Sequence, residues 1–222
     1  MIRRDYLLRI IEQFGQMWAR LVGQLRAGLF PSARATLDQA YQEILGLTPE
    51  TVRMLPAQEL LARMQFGATL DLGQERCLVL SALLNAEGDL AGGQHDADLA
   101  AQYYQKALEI LLAMLIQHPT LALPEYAPTV GQLVAALADY QLPLNSNRLL
   151  LQYYEQSGAF ASAEDRLFEL RDQAPHDRAV AALGEAFYRR LRSYTDAELQ
   201  AGNFSRREIE SGLTAWRRMA HP

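Results

Sequence analysis

The chain has 222 residues, 50% apolar and 21% charged, with a formal net charge of −5, the make-up of a globular protein long enough to bury a substantial core. Its single cysteine, Cys77, excludes an internal disulfide framework and a cysteine-rich metal site. No window approaches roughly eighteen uncharged apolar residues, and the opening MIRRDYLLRIIEQFG lacks the apolar core and cleavage site of a signal peptide, so a cytoplasmic protein is expected.

The charge is uneven along the chain. Residues 1–34 hold six Arg against two acids, residues 35–165 five bases against sixteen acids, and residues 166–222 ten Arg against eight acids. A basic start and an acidic middle would suit self-association or a basic partner, and a solvated helical surface would carry the same pattern. Lys106 is the only lysine.

In chain order, Ile2, Tyr6, Leu7, Ile10, Ile11, Phe14, Met17, Trp18, Leu21, Val22 and Leu25 recur at three and four, which predicts a helix from Ile2 to about Ala27. Its other face is rich in arginine. Two roles fit such a helix: its apolar stripe packs on the following helices, or it lies on an anionic membrane surface. Gly28, Phe30, Ala33, Leu37 and Ala40 predict a second helix that stops late, at Gly46. Thr48 suits an N-cap with Pro49 in the first turn, and Pro56 opens another helix lasting to about Phe66. A helix from about Leu72 to Gly88 carries Cys77, which among Leu78, Val79 and Leu80 reads as a buried thiol. The Gly-rich AGGQHDAD is expected to be an extended connection to a helix ending near His118. The prolines of 119–128 mark the clearest candidate linker, dividing an N-terminal helical region, 1–118, from a C-terminal one, 129–222. A helix from about Val130 to Tyr140 follows. Asp177 can cap a helix reaching Arg192, and Thr195 with Glu198 and Ser205 with Glu208 spell two capping boxes around a Gly202–Asn203 turn. Ile209, Leu213, Trp216 and Met219 give the last helix a buried stripe.

The most complete unit runs from Asn147 to Pro175. Leu150, Leu151 and Tyr154 form one stripe, Gly158 breaks the helix, and Phe160, Ala163, Leu167 and Leu170 form a second stripe that stops at Pro175. This spacing resembles a tetratricopeptide repeat; 28–40 and, with an interruption, 78–108 repeat it more loosely. No unit starts with Trp and the units are not contiguous, so the expected fold is all-α, antiparallel helix pairs in an irregular tetratricopeptide-like arrangement. The whole chain also resembles an uncharacterised bacterial family that opens with a pattern like Met-Ile-Arg-Arg-Asp-Tyr and closes with one like Gly202-Asn203-Phe204-Ser205-Arg206-Arg207. That likeness implies a bacterial origin and no known activity.

Catalytic signatures are absent: no phosphate-binding loop, no Gly-x-Ser-x-Gly and no His-Glu-x-x-His. The nearest approach to a metal site is His95, Asp96 and Asp98, where one aspartate is better placed to cap the following helix. Neither Glu164–Asp165 nor Asp38 with Glu43 faces a second group suited to acid–base work. Arg189, Arg190, Arg192, Arg206, Arg207, Arg217 and Arg218 are interleaved with acids, which argues against a phosphate-tracking surface. No enzyme, metal, cofactor or nucleic acid is therefore expected. In tetratricopeptide proteins the first helix of each pair lines a groove for a partner segment. The resemblance implies partner-binding positions at Asn145, Arg148, Gln152, Glu155 and Gln156, and at Glu75 and Asn85 with Leu78 and Ala82 between them. The expected role is an adaptor or scaffold that binds a protein partner or its own copy; the alternative is a peripheral membrane protein seated by helix 2–27.

Overall fold

A computed structural model of the chain describes the backbone of residues 2–220 and the side chains of residues 10–218. The described residues form twelve α-helices and one π turn, with no strand. They divide into two compact units, Met1–Gln141 and Leu142–Pro222.

The first unit contains α1 (Ile2–Arg26), α2 (Phe30–Ala40), the π turn Tyr41–Leu45, α3 (Pro49–Met54), α4 (Ala57–Gln65), α5 (Leu70–Gly93), α6 (Ala97–Gln117) and α7 (Val130–Ala136). Helix α5 is its axis. α1, α2, α4 and α6 all pack on it, and every residue from Cys77 to Leu84 is buried, as expected of a helix that is apolar all round. The apolar stripe of α1 closes onto this core: Ile10, Phe14, Met17 and Leu21 are buried. The more N-terminal part of the stripe, Ile2, Tyr6 and Leu7, lies outside the described side chains. No helix among the described residues is long and apolar enough to cross a membrane.

Capping follows the sequence. Thr48 accepts from the Thr51 amide, Asp96 from the Leu99 amide, and Thr129 forms a capping box with Gln132 that opens α7. Lys106 donates its ammonium to the Val52 and Arg53 carbonyls, closing the C-terminal end of α3.

Three expectations change. Gly88 does not end a helix; α5 runs through it to Gly93, and only Gln94–Asp96 separate α5 from α6. The glycine serves space instead: a Cβ there would stand 2.4 Å from the Tyr104 ring, so its absence lets α6 lie close. The segment 119–128, where the prolines suggest a linker, lies inside the first unit. Tyr126 stands edge-on to Phe14, with ring centroids 4.9 Å apart, and donates to Glu75 at 2.5 Å. The helix after it is shorter than the spacing suggests, ending at Ala136.

A part-buried ion pair crosses the unit. Arg34 on α2 donates to both carboxylate oxygens of Glu87 on α5, at 2.6 and 2.5 Å. Burial pushes the Glu87 carboxyl above its ordinary range, and the Arg34 guanidinium pulls it back. Beside them Tyr41, fully buried on the π turn, has no partner for its hydroxyl.

The second unit contains α8 (Leu144–Gln156), α9 (Phe160–Gln173), α10 (Arg178–Leu191), α11 (Asp196–Ala201) and α12 (Arg206–Ala220). Gly158 ends the α8 turn with φ +77°, a left-handed conformation that costs glycine little. Phe160, Ala163, Leu167 and Leu170 are buried as their spacing suggests, and the core continues through Val180, Phe187, Leu191, Ile209 and Leu213. Met219 lies outside the described side chains. Asp177 caps α10, and both expected capping boxes form. Helices α10 and α12 interlock by a device absent from the sequence expectations. A Cβ on Gly184 would stand 2.1 Å from the Trp216 ring, and one on Gly212 would stand 2.2 Å from the Tyr188 ring. Each helix thus seats its aromatic ring over the glycine of the other, in antiparallel order.

Candidate functional site

Leu151, Gln152 and Glu155 stand three, four and seven residues after Arg148 on α8, which puts all four on one face. That face meets α10. The two helices run in the same direction, because an ion pair joins their early turns and another their late ones. Arg148 Nη2 stands 3.8 Å from Asp177 Oδ2 at one end. At the other, Arg190 grips Glu155 through two parallel bonds, Nε to Oε1 at 2.5 Å and Nη2 to Oε2 at 2.7 Å. The second is a fork-on-fork arrangement that fixes both side chains, and the bond to Glu155 raises the pKa of Arg190. Asp177 is held as well, since its other oxygen accepts from the Ala179 amide.

Between the two ion pairs lies an open groove of about 660 Å³. Leu151, Leu183 and Ala179 supply apolar wall, Tyr194 closes one end, and Gln152 and Gln156 stand exposed along the rim. The groove is mixed in polarity and balanced in charge.

Four of the residues named from the tetratricopeptide resemblance meet here: Arg148, Gln152, Glu155 and Gln156. Asn145 sits half-buried in the first turn of α8, outside the lining. Glu75 and Asn85 belong to the other unit: Glu75 lines a separate hollow with Leu78, and Asn85 lines neither cavity. Glu75 accepts from Tyr126, Asn85 stands 3.5 Å from Asp89, and Leu78 and Ala82 between them are buried. From Leu78 to Ala82 the face expected to be open on α5 is buried. The opposite wall of the groove, with Ala179, Leu183, Arg190 and Tyr194, went unread. Nothing in the sequence singles it out: Arg190 is one of seven clustered arginines, and Tyr194 lies beyond the end of α10.

Elsewhere the arginine cluster is largely paired. Arg189 and Arg217 share Glu185, Arg192 pairs with Glu210, and Arg206 holds Asp196 and the Arg192 and Tyr194 carbonyls. Glu164 accepts from the Tyr188 hydroxyl, and burial raises its pKa. Glu43 accepts from Gln13 and Gln39. Cys77 is buried, which pushes its thiol up to about 12 and leaves it inert near neutral pH. No group of three or more His, Cys, Asp or Glu among the described residues is placed to hold a metal ion.

No curated protein and no solved structure matches the chain. A family model does, over residues 1–221, and the chain therefore belongs to DUF6483, a family of unknown function.

Proposed function

We propose that this is a protein-binding adaptor or scaffold, tetratricopeptide-like, bacterial and cytoplasmic, that holds an extended partner segment in the groove between α8 and α10. The observation that carries this reading is the groove itself: apolar wall, exposed amides on its rim, and a filled core behind it.

The spacing suits a peptide backbone. Gln152 and Gln156 are four residues apart on a helix, a rise of about 6 Å. An extended chain presents like-facing peptide groups about 6.6–6.8 Å apart. Each glutamine amide, with one acceptor and two donors, can meet successive backbone groups without reading the sequence between them. An aliphatic side chain of the partner would cover Leu151 and Leu183, so that apolar burial supplies affinity and the amides supply register.

The test is quantitative affinity purification from the source cell with two baits, the wild type and Gln152→Ala/Gln156→Ala/Leu183→Asp. A stoichiometric partner held by the first and lost by the second supports the reading, provided both baits have the same circular dichroism spectrum. A partner retained by the variant moves the binding surface elsewhere. Recovery of the bait alone defeats the adaptor reading.

A further inference from the structure

The first unit displays apolar side chains where its fold has no use for them. Phe66 is 87% exposed and Leu70 63% exposed. They bracket a turn held in place by Gly67 at φ +67° and by hydrogen bonds from the Phe66 amide to Ala62 and the Ala68 amide to Gln65. The turn is a formed structure. Helix α4 has already buried its apolar face through Ala57, Leu60 and Met64, so Phe66 is no misplaced part of that stripe. A Phe ring left in water forgoes one of the larger apolar gains available to a side chain.

The surface continues along α5. Leu70, Asp71, Gln74, Glu75 and Leu78 follow at steps that share one face. All but Leu70 form one wall of a hollow of about 430 Å³, whose other wall is Leu121–Pro124. Glu75 is engaged by Tyr126, while Asp71 and Glu125, the residue after Pro124, are exposed. The unit as a whole has the same sign, with fifteen acids against ten bases over residues 1–141, and exposed Arg63 on the last turn of α4 is the base beside Phe66 in sequence.

We infer that the Phe66–Leu70 turn and the adjoining hollow form a second docking surface, fitted to a cationic, apolar segment of a partner protein. Its apolar side chains cover Phe66 and Leu70 and enter the hollow, and its Arg or Lys residues meet Asp71 and Glu125. Charge complementarity selects this occupant: an acidic peptide or a phosphate backbone would be repelled. The surface lies wholly in the first unit and does not rest on the groove between α8 and α10.

Fluorescence anisotropy on the full chain tests this, with a labelled synthetic peptide alternating leucine and arginine and its leucine–glutamate counterpart as probes. The cationic peptide is expected to bind at least about tenfold more tightly than the anionic one, a difference of about 1.4 kcal/mol. Phe66→Ser/Leu70→Ser should weaken it about tenfold with the thermal melt unchanged, because both side chains are exposed. Asp71→Asn/Glu125→Gln should weaken it and flatten its salt dependence. Gln152→Ala/Gln156→Ala should leave it unchanged. Failure of the cationic peptide to bind, equal binding of the two peptides, or full binding by Phe66→Ser/Leu70→Ser overturns the inference. So does sedimentation that shows a wild-type dimer dissociated by Phe66→Ser/Leu70→Ser, since a second copy would then be the occupant.

Discussion

Helices α5 and α8 hold equivalent places in the repeat-like reading, each the first of an antiparallel pair, yet they meet opposite fates. α5 is enclosed by α1, α2, α4 and α6 and has no open face over its central turns. α8 has α9 behind it and keeps its other face as the wall of a groove. The composition of that face accounts for the difference. Between Glu75 and Asn85 stand Leu78 and Ala82; between Arg148 and Glu155 stand Leu151 and Gln152. Leu78 and Ala82 are buried, whereas Gln152 is exposed. Repeat-like spacing does not state which faces stay free.

The comparison is broken most sharply by substitutions at equivalent depth. Leu83→Ala, on the enclosed helix and fully buried, should cost about 3–5 kcal/mol in urea unfolding, the upper part of the range for buried leucines. Arg34→Met comes next, at about 3 kcal/mol, because it leaves the Glu87 carboxylate buried without its cation; Arg34 itself is 34% exposed, which keeps the loss at the low end. Its pH dependence has a defined sign. Burial raises the Glu87 pKa in the folded state, so its contribution is most favourable below the unfolded carboxylate value and declines as pH rises through the folded one. Arg34 opposes that decline, so Arg34→Met should lie closer to wild type at about pH 4 than at about pH 7. Equal losses at both pH values would remove Glu87 from the explanation.

Gly184→Ala in the second unit should cost about 1–3 kcal/mol by forcing Trp216 off its seat, visible as a change in tryptophan fluorescence as well as in the melting temperature. Gln152→Ala, at an exposed rim position, should change stability by no more than about 0.5 kcal/mol. Its larger effect should be on the proposed partner binding. A large loss of stability there would mean that α8 is enclosed like α5, and the contrast between the two helices would collapse.

Much of the fold was legible because helix ends are local chemistry. Thr48, Asp96, Asp177, Thr195 and Ser205 each cap a helix as their residue types suggest. Gly158 was legible for the same reason, since a left-handed stop needs no distant partner. Gly88 was not. A glycine that ends a helix and one that admits a ring look alike in sequence, and only Tyr104, sixteen residues further on, decides between them. The prolines of 119–128 likewise fix local backbone but say nothing of Tyr126 reaching Phe14 and Glu75. For the candidate site, one wall could be read from the repeat spacing and the other could not, because Arg190 looked like one of many arginines until Glu155 stood opposite it.

The paired glycines and rings of α10 and α12 bear on how rigid the groove wall is. With Trp216 over Gly184 and Tyr188 over Gly212, a slide of either helix by one turn, about 5.4 Å, would drive both rings into side chains. The groove wall carried by α10 is thereby denied the register shift that packed helices use in switching. If the groove binds a segment as proposed, conformational adjustment on encounter falls to that segment, which would lose its chain entropy on a surface already set. Affinity should track how extended that segment is before it arrives, and stiffening it with proline outside the contact positions is the direct way to tighten the complex.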